Sequence, residues 1–175
     1  TPPAIGENQF FDAEPTIYVP KAAESLYKNA ADWSDYKDYV VGYDFGKTTT
    51  LTYTTTNGKV ADVNLPKILM INNSYNNGVG TVSYYGDGTI IPSGMFMNCF
   101  SLASVAIPNS VKAIGNWAFA SCSKLNSISI PNSVTSIGDG AFAACSYITE
   151  VVIPNNVTVI NKGAFENCRS LEKVT

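Results

Sequence analysis

Four cysteines, Cys99, Cys122, Cys145 and Cys168, recur at one constant interval, and thiols at a fixed spacing have three possible chemical roles: metal ligands, disulfides or core fillers. Structural zinc usually draws on closely spaced C-x2–4-C pairs, which this spacing does not supply. If each cysteine marks one unit of a stack, equivalent side chains point the same way and stay roughly 4.8 Å apart. A disulfide needs its Cβ atoms within about 3.5–4.5 Å. Buried free thiols acting as small apolar fillers are therefore the expectation. Histidine is absent, which removes Ser-His-Asp and Cys-His nucleophile pairs, the commonest general base and the commonest metal ligand. Asp32, Asp35 and Asp38 recur at i+3 and read as the solvated face of a helix. Asp87 and Asp139 sit in Gly-Asp-Gly turns without the further ligands of a calcium loop. Asn72-Asn73-Ser74 and Asn156-Val157-Thr158 match the glycosylation sequon by chance. The expectation is no catalytic residue, no metal and no cofactor.

The elements that position the cysteines share their period. The units are CFSLASVAIPNSVKAIGNWAFAS (99–121), CSKLNSISIPNSVTSIGDGAFAA (122–144) and CSYITEVVIPNNVTVINKGAFEN (145–167), and a further one opens at Cys168. A degenerate unit over 76–98 keeps Val79, Val82, Tyr84, Ile91, Met95 and Phe96 in register but lacks the cysteine and the proline. A fixed period of this size marks stacked supersecondary units. Within a unit, Leu125, Ile128 and Ile130 follow an L-x-x-I-x-I spacing whose last two members alternate with Ser127 and Ser129 as a half-buried strand does, and Pro131 ends the pairing. Val134 and Ile137 form a second apolar pair, and Gly138 and Gly140 suit a turn with positive φ. Phe96, Phe119, Phe142 and Phe165 should stack as a ladder through the core.

These residues resemble the BspA-like leucine-rich repeat of bacterial cell-surface proteins, through the proline, apolar, glycine, Ala-Phe and cysteine positions of IPNSVTSIGDGAFAAC and its neighbours. The resemblance implies an α/β solenoid dominated by short β-strands, a right-handed leucine-rich-repeat coil with 23-residue repeats. The general leucine-rich pattern carries Asn or Cys eight residues after its first Leu. Here Ser133 stands at that distance from Leu125 and the cysteine precedes the leucine by three, a departure from the usual asparagine-ladder geometry.

Residues 1–43 read as the terminal coil and helical cap of a preceding array. AIGENQFF (4–11) aligns with SIGDGAFA (136–143), and IYVP (17–20) reads as a strand ending in proline. Ala23, Leu26, Tyr27 and Ala30 follow helical spacing, with Trp33, Tyr36 and Val40 continuing the stripe. Residues 44–75 read as a β-hairpin N-cap. TTTLTYTTT (48–56) is its first strand, Asn57-Gly58 its turn and KVADV (59–63) its second strand, followed by an apolar run from Lys67 to Ile71. The array itself then covers 76–175, with coils starting at 76, 99, 122, 145 and 168. This arrangement suggests a piece of a longer multi-array protein.

Composition narrows the function. Lysine and arginine number 11 against 14 acidic residues, with no block of either sign, which argues against a nucleic-acid partner. No stretch reaches the roughly 18–20 apolar residues of a membrane span, so no membrane insertion is expected of this segment. The remaining place for function is the outward face of the strands, at Ser104, Ala106, Ser127, Ser129, Glu150 and Val152, flanked by Lys124, Tyr147 and Arg169. Repeat proteins bind partners across such surfaces. The resemblance implies a secreted or cell-surface, non-enzymatic protein for adhesion or protein–protein interaction, with an extracellular protein or host-cell surface ligand as partner. A structural spacer presenting other domains is the alternative. An accessory module of a carbohydrate-active enzyme is a further one, for which the chain offers no acid/base constellation.

Overall fold

The computed structural model describes residues 17–20, 24–29, 40–43, 46–65 and 70–175. They fall in two units divided between Lys47 and Thr48. The segment 4–11, Ala23, Ala30, the triad Asp32, Asp35 and Asp38, Trp33, Tyr36 and residues 67–69 lie outside the described residues.

The first unit contains β1 (Ile17–Pro20), α1 (Glu24–Lys28) and β2 (Val40–Tyr43). The expected helix forms over Glu24–Lys28, where Lys28 pairs with Glu24 one turn earlier at 2.7 Å. Val40 does not extend its stripe. The β-branched pair Val40-Val41 favours an extended backbone, and β2 runs parallel to β1 with Ile17 opposite Val40. The step from Ile17 to Val40 equals the interval between successive cysteines.

The second unit opens with an antiparallel sheet in which β3 (Thr48–Thr55) lies between β5 (Val79–Tyr85) and β7 (Leu102–Ala106), with β4 (Met70–Asn76) outside β5. The alternation of β3 is complete: Leu51 and Tyr53 are buried, while Thr48, Thr50 and Thr52 face solvent. The expected hairpin about Asn57-Gly58 does not form, because both edges of β3 are taken by β5 and β7. The chain after Gly58 passes instead beneath the sheet as irregular backbone, burying Ala61 and Leu65. Its polar groups are met individually: Ala61 N–H donates to the Tyr53 hydroxyl, Asn73 Nδ2 donates to Ala61 O, and Asn64 N–H donates to Met95 O. The hairpin of this region joins β4 and β5 through Asn77-Gly78, whose φ angles of 49° and 85° are the double positive that a type I′ turn requires. Asn57 has no positive φ; its side chain instead accepts the Lys59 N–H at 3.0 Å.

This pairing also corrects the degenerate unit over 76–98. Its first half belongs to the antiparallel sheet, and Val79 at the hairpin end is exposed rather than in the core. Its second half is in register: β6 (Ile90–Ile91) pairs with β8 (Ala113–Ile114), β8 with β9 (Ser136–Ile137), and β9 with β11 (Val159–Ile160), all parallel and all offset by one repeat. This four-rung ladder passes through the second apolar pair of each unit. At the first, Leu125, Ile128 and Ile130 are buried as expected. Pairing there is sparse, with a bridge between Ala106 and Ser129 and β10 (Glu150–Val151) beside β12 (Lys173–Val174).

The core is columnar. Rings of Phe96, Phe119, Phe142 and Phe165 stack with centroids 5.5, 5.2 and 5.2 Å apart and planes within 7°. Tyr53 meets the first of them edge-on at 6.1 Å, so the antiparallel sheet closes that end of the column. The cysteines form a parallel column. Cys122, Cys145 and Cys168 donate their thiols to the carbonyls of Phe96, Phe119 and Phe142 of the preceding coil at 3.0–3.1 Å, and Cys99 donates to Asp62 O. The carbonyls of Phe96, Phe119 and Phe142 also accept the backbone N–H groups of Cys99, Cys122 and Cys145, so each takes two donors and uses both of its lone pairs. All four are free cysteines.

Burial pushes every one of these thiols upward, Cys99 and Cys145 to about 12, with Cys122 and Cys168 moving in the same direction. Unfolded, a thiol titrates near 9.0. Between these values the unfolded chain has released protons that the native state holds, so stability falls as pH rises. It is fully present below about pH 9 and is lost as pH climbs towards about 12. Denaturation midpoints should decline across that window, and four thiols should react with a disulfide reagent once the chain is unfolded without reductant. Fewer than four would mean that bridges form.

Candidate functional site

Among the described residues, no group of three or more His, Cys, Asp or Glu side chains is placed to hold a metal ion, and no helix is long and apolar enough to cross a membrane. Asp87 behaves as a turn residue, its Oδ1 accepting from the backbone N–H and hydroxyl of Thr89 at 3.0 and 2.6 Å.

The surface residues singled out from sequence lie on one side of the strand positions. Ser127, Ser129, Glu150 and Val152 are exposed and Ser104 is half-buried. They fall in two columns, because steps of one repeat relate Ser104 to Ser127 and Glu150, and Ala106 to Ser129 and Val152. The structure ties neighbouring coils together along this face. Glu150 forms an ion pair with Lys173, one coil on. Lys124 Nζ donates to the Tyr147 hydroxyl at 2.9 Å and lies 4.1 Å from the centre of the same ring. That donated hydrogen bond, with the adjacent positive charge, holds the Tyr147 hydroxyl below the usual phenol range. Tyr147 remains 51% exposed. Arg169 is exposed one position after Cys168, the rung that Phe100, 61% exposed, occupies three coils earlier.

At the start of the same face the antiparallel sheet adds hydroxyls. Thr54 and Ser104 share a hydrogen bond at 2.7 Å, and Thr50 and Ser83 another at 2.8 Å. A shallow depression lies among Thr52, Thr54, Val79, Ser104 and Ala106. The arrangement offers neutral hydroxyls at one end, and an aromatic ring with paired charges at the other. These groups are exposed or half-buried, and repeat proteins in general make contacts across such surfaces.

Trp117 escapes a reading based on outward strand positions. Four turns occupy equivalent places, at Gly94, Trp117, Gly140 and Gly163, with φ of 65°, 57°, 56° and 66°. Left-handed backbone costs a side-chain-bearing residue roughly 1–2 kcal/mol, and three of the four coils avoid it with glycine. Aligning this one column of the repeat would have exposed the tryptophan. Gly138 is required for a different reason: a Cβ there would fall 2.7 Å from Asn116 N and 2.8 Å from Gly115 C.

The family model described as "BspA type Leucine rich repeat region" matches residues 75–175 in six copies. Two solved structures are similar to the chain. One, a leucine-rich repeat protein of T. pallidum, is 37% identical over 45% of this chain and 37% of its own, with a TM-score of 0.45. The other, from Bacteroides ovatus, is 31% identical over 65% of this chain and 33% of its own, with a TM-score of 0.41. The chain therefore spans about a third of the length of each. No curated protein matches it.

Proposed function

The chain belongs to the BspA-type leucine-rich repeat family, whose model covers more than half of it, and from that premise we propose that it is a non-enzymatic adhesion or interaction protein at the cell surface or in secretions. Leucine-rich repeat domains in general mediate protein–protein contacts across repeated surfaces. We place the contact on the outward face formed by Ser104, Lys124, Ser127, Ser129, Tyr147, Glu150, Val152 and Arg169. The observation that supports it is Tyr147. This large ring is held by Lys124 from the neighbouring coil yet half open to solvent, with Val152 exposed nearby in sequence. Tyr and Arg are the side chains that most often anchor interfaces.

In the same reading, the one-repeat offset between Ile17 and Val40 supports taking residues 1–43 as the closing coil of an array, with α1 as part of its helical cap. Residues 76–175 are then a separate right-handed solenoid array, and 44–75 contribute its N-terminal cap.

The test is binding of the chain to a panel of immobilised extracellular matrix proteins. Tyr147→Ala and Glu150→Ala should each weaken the strongest interaction by about tenfold, the size of a minor hot spot, without moving the denaturation midpoint. A stable chain that binds nothing on the panel acts as a spacer, and the adhesion reading then fails.

A further inference from the structure

Trp117 combines three observations that no part of the outward strand face shares. It is the one large side chain in a column of left-handed turns otherwise built from glycine. Its six-membered ring lies over the backbone of Gly140, one coil on, where any Cβ would collide with Cε3, Cζ3 and Cη2 of the indole. It is nevertheless 47% exposed. The indole thus rests against a glycine rather than being sunk into the core. On the other side, the equivalent turn of the preceding coil is Gly94, and a Cβ there would meet nothing within 4 Å. The coil before Trp117 leaves open space at this position, and the coil after it supplies a floor.

The polar groups around the ring set the ligand class. Asn116 precedes the tryptophan and is exposed, as is Asp139. The Asp139 backbone is fixed twice, its carbonyl accepting the Trp117 N–H at 2.8 Å and its own N–H donating to Asn116 Oδ1 at 2.9 Å. An exposed indole, with an exposed asparagine and aspartate at the positions just before Trp117 and Gly140, suits a ligand with one face of C–H groups and a rim of hydroxyls. The negative face of the indole attracts polarised C–H bonds, while the two side chains hydrogen-bond the rim.

We propose that the Trp117 turn is a binding site for a pyranose ring of a neutral oligosaccharide, formed by the indole with Asn116 and Asp139 at its border. A proline-rich peptide fits less well, because its grooves are lined by several aromatics and both neighbouring turns of this column carry glycine.

The test is an NMR titration of the full chain, reading the indole N–H signals of Trp33 and Trp117. Malto-, cello-, chito-, xylo- and galacto-oligosaccharides are the probes, with a proline-rich peptide as the comparison. At least one sugar series should move the Trp117 signal along a saturable curve. Trp117→Gly restores the residue of the other three turns, so the variant should stay folded and bind that sugar at least about tenfold more weakly. Trp117→Tyr should retain part of the affinity, and Asp139→Ala should weaken binding while leaving the indole in place. The proposal is overturned if no sugar moves the Trp117 signal, if only Trp33 responds, if Trp117→Gly binds as well as the parent chain, or if the peptide alone saturates the site.

Discussion

Phe142→Ala should destabilise the repeat unit by about 3–5 kcal/mol, the range for removing a buried phenylalanine and leaving a cavity. Domain stabilities are typically only about 5–15 kcal/mol, so this substitution alone removes a large share. The position sets the size of the effect. Phe142 has no solvent exposure and stacks on Phe119 and Phe165 at 5.2 Å on either side. Two aromatic contacts are lost at once, and the neighbouring coils cannot close the gap without breaking hydrogen bonds such as those from Phe119 N–H to Ala141 O and from Phe142 N–H to Ala164 O. Phe165 has the same sequence context but is only half-buried, with a stacked neighbour at Phe142 alone among the described residues. Phe165→Ala should therefore cost clearly less than Phe142→Ala. Urea denaturation of both variants checks this ordering; equal losses would mean that the column is not one continuous core.

The column was legible in the sequence because every one of its members repeats with the period. Phe96 to Phe165, Cys99 to Cys168 and Ile91 to Ile160 each occupy one column, and a repeated environment fixes a repeated residue type. The strand partners of Thr48–Thr55 were not legible in this way. Asn57-Gly58 and Asn77-Gly78 are the same dipeptide, and each announces only that the chain turns. Which turn joins two paired strands depends on what else can occupy the sheet edges, and that is settled by the distant strands 79–85 and 102–106. Where the rungs pair was also hidden. Ile128 and Ile130, interleaved with Ser127 and Ser129, have the stronger alternation, yet the longer ladder of parallel pairs runs through Ile91, Ile114, Ile137 and Ile160. Of the surface, the residue types were readable but their couplings were not. Lys124 with Tyr147 and Glu150 with Lys173 each stand one full repeat apart, and such pairs become neighbours only once the coils stack in register.

The other large loss is expected at Gly115, and it separates two reasons for needing glycine. Gly115 has no positive φ, so its backbone would suit any residue. What it lacks is room: a Cβ would fall 2.6 Å from Ser93 N, 2.7 Å from Ile91 O and 2.9 Å from Ser93 Cα. All three atoms are backbone of the preceding coil, so no side chain can rotate away. The coils must separate instead, and the hydrogen bond from Gly115 N–H to Ile91 O, 2.9 Å long, lies directly in the path of that shift. Overpacking together with a weakened buried hydrogen bond puts Gly115→Ala at about 2–4 kcal/mol. Gly94 is the opposite case, with a φ of 65° but open space where its Cβ would go, so Gly94→Ala should cost only about 1–2 kcal/mol, the penalty of the left-handed conformation. If denaturation shows Gly94→Ala to be as damaging as Gly115→Ala, then backbone conformation rather than inter-coil distance governs the stack. The close approach of Gly115 to Ile91 and Ser93 predicts the reverse ordering, with the inconspicuous glycine the more sensitive of the two.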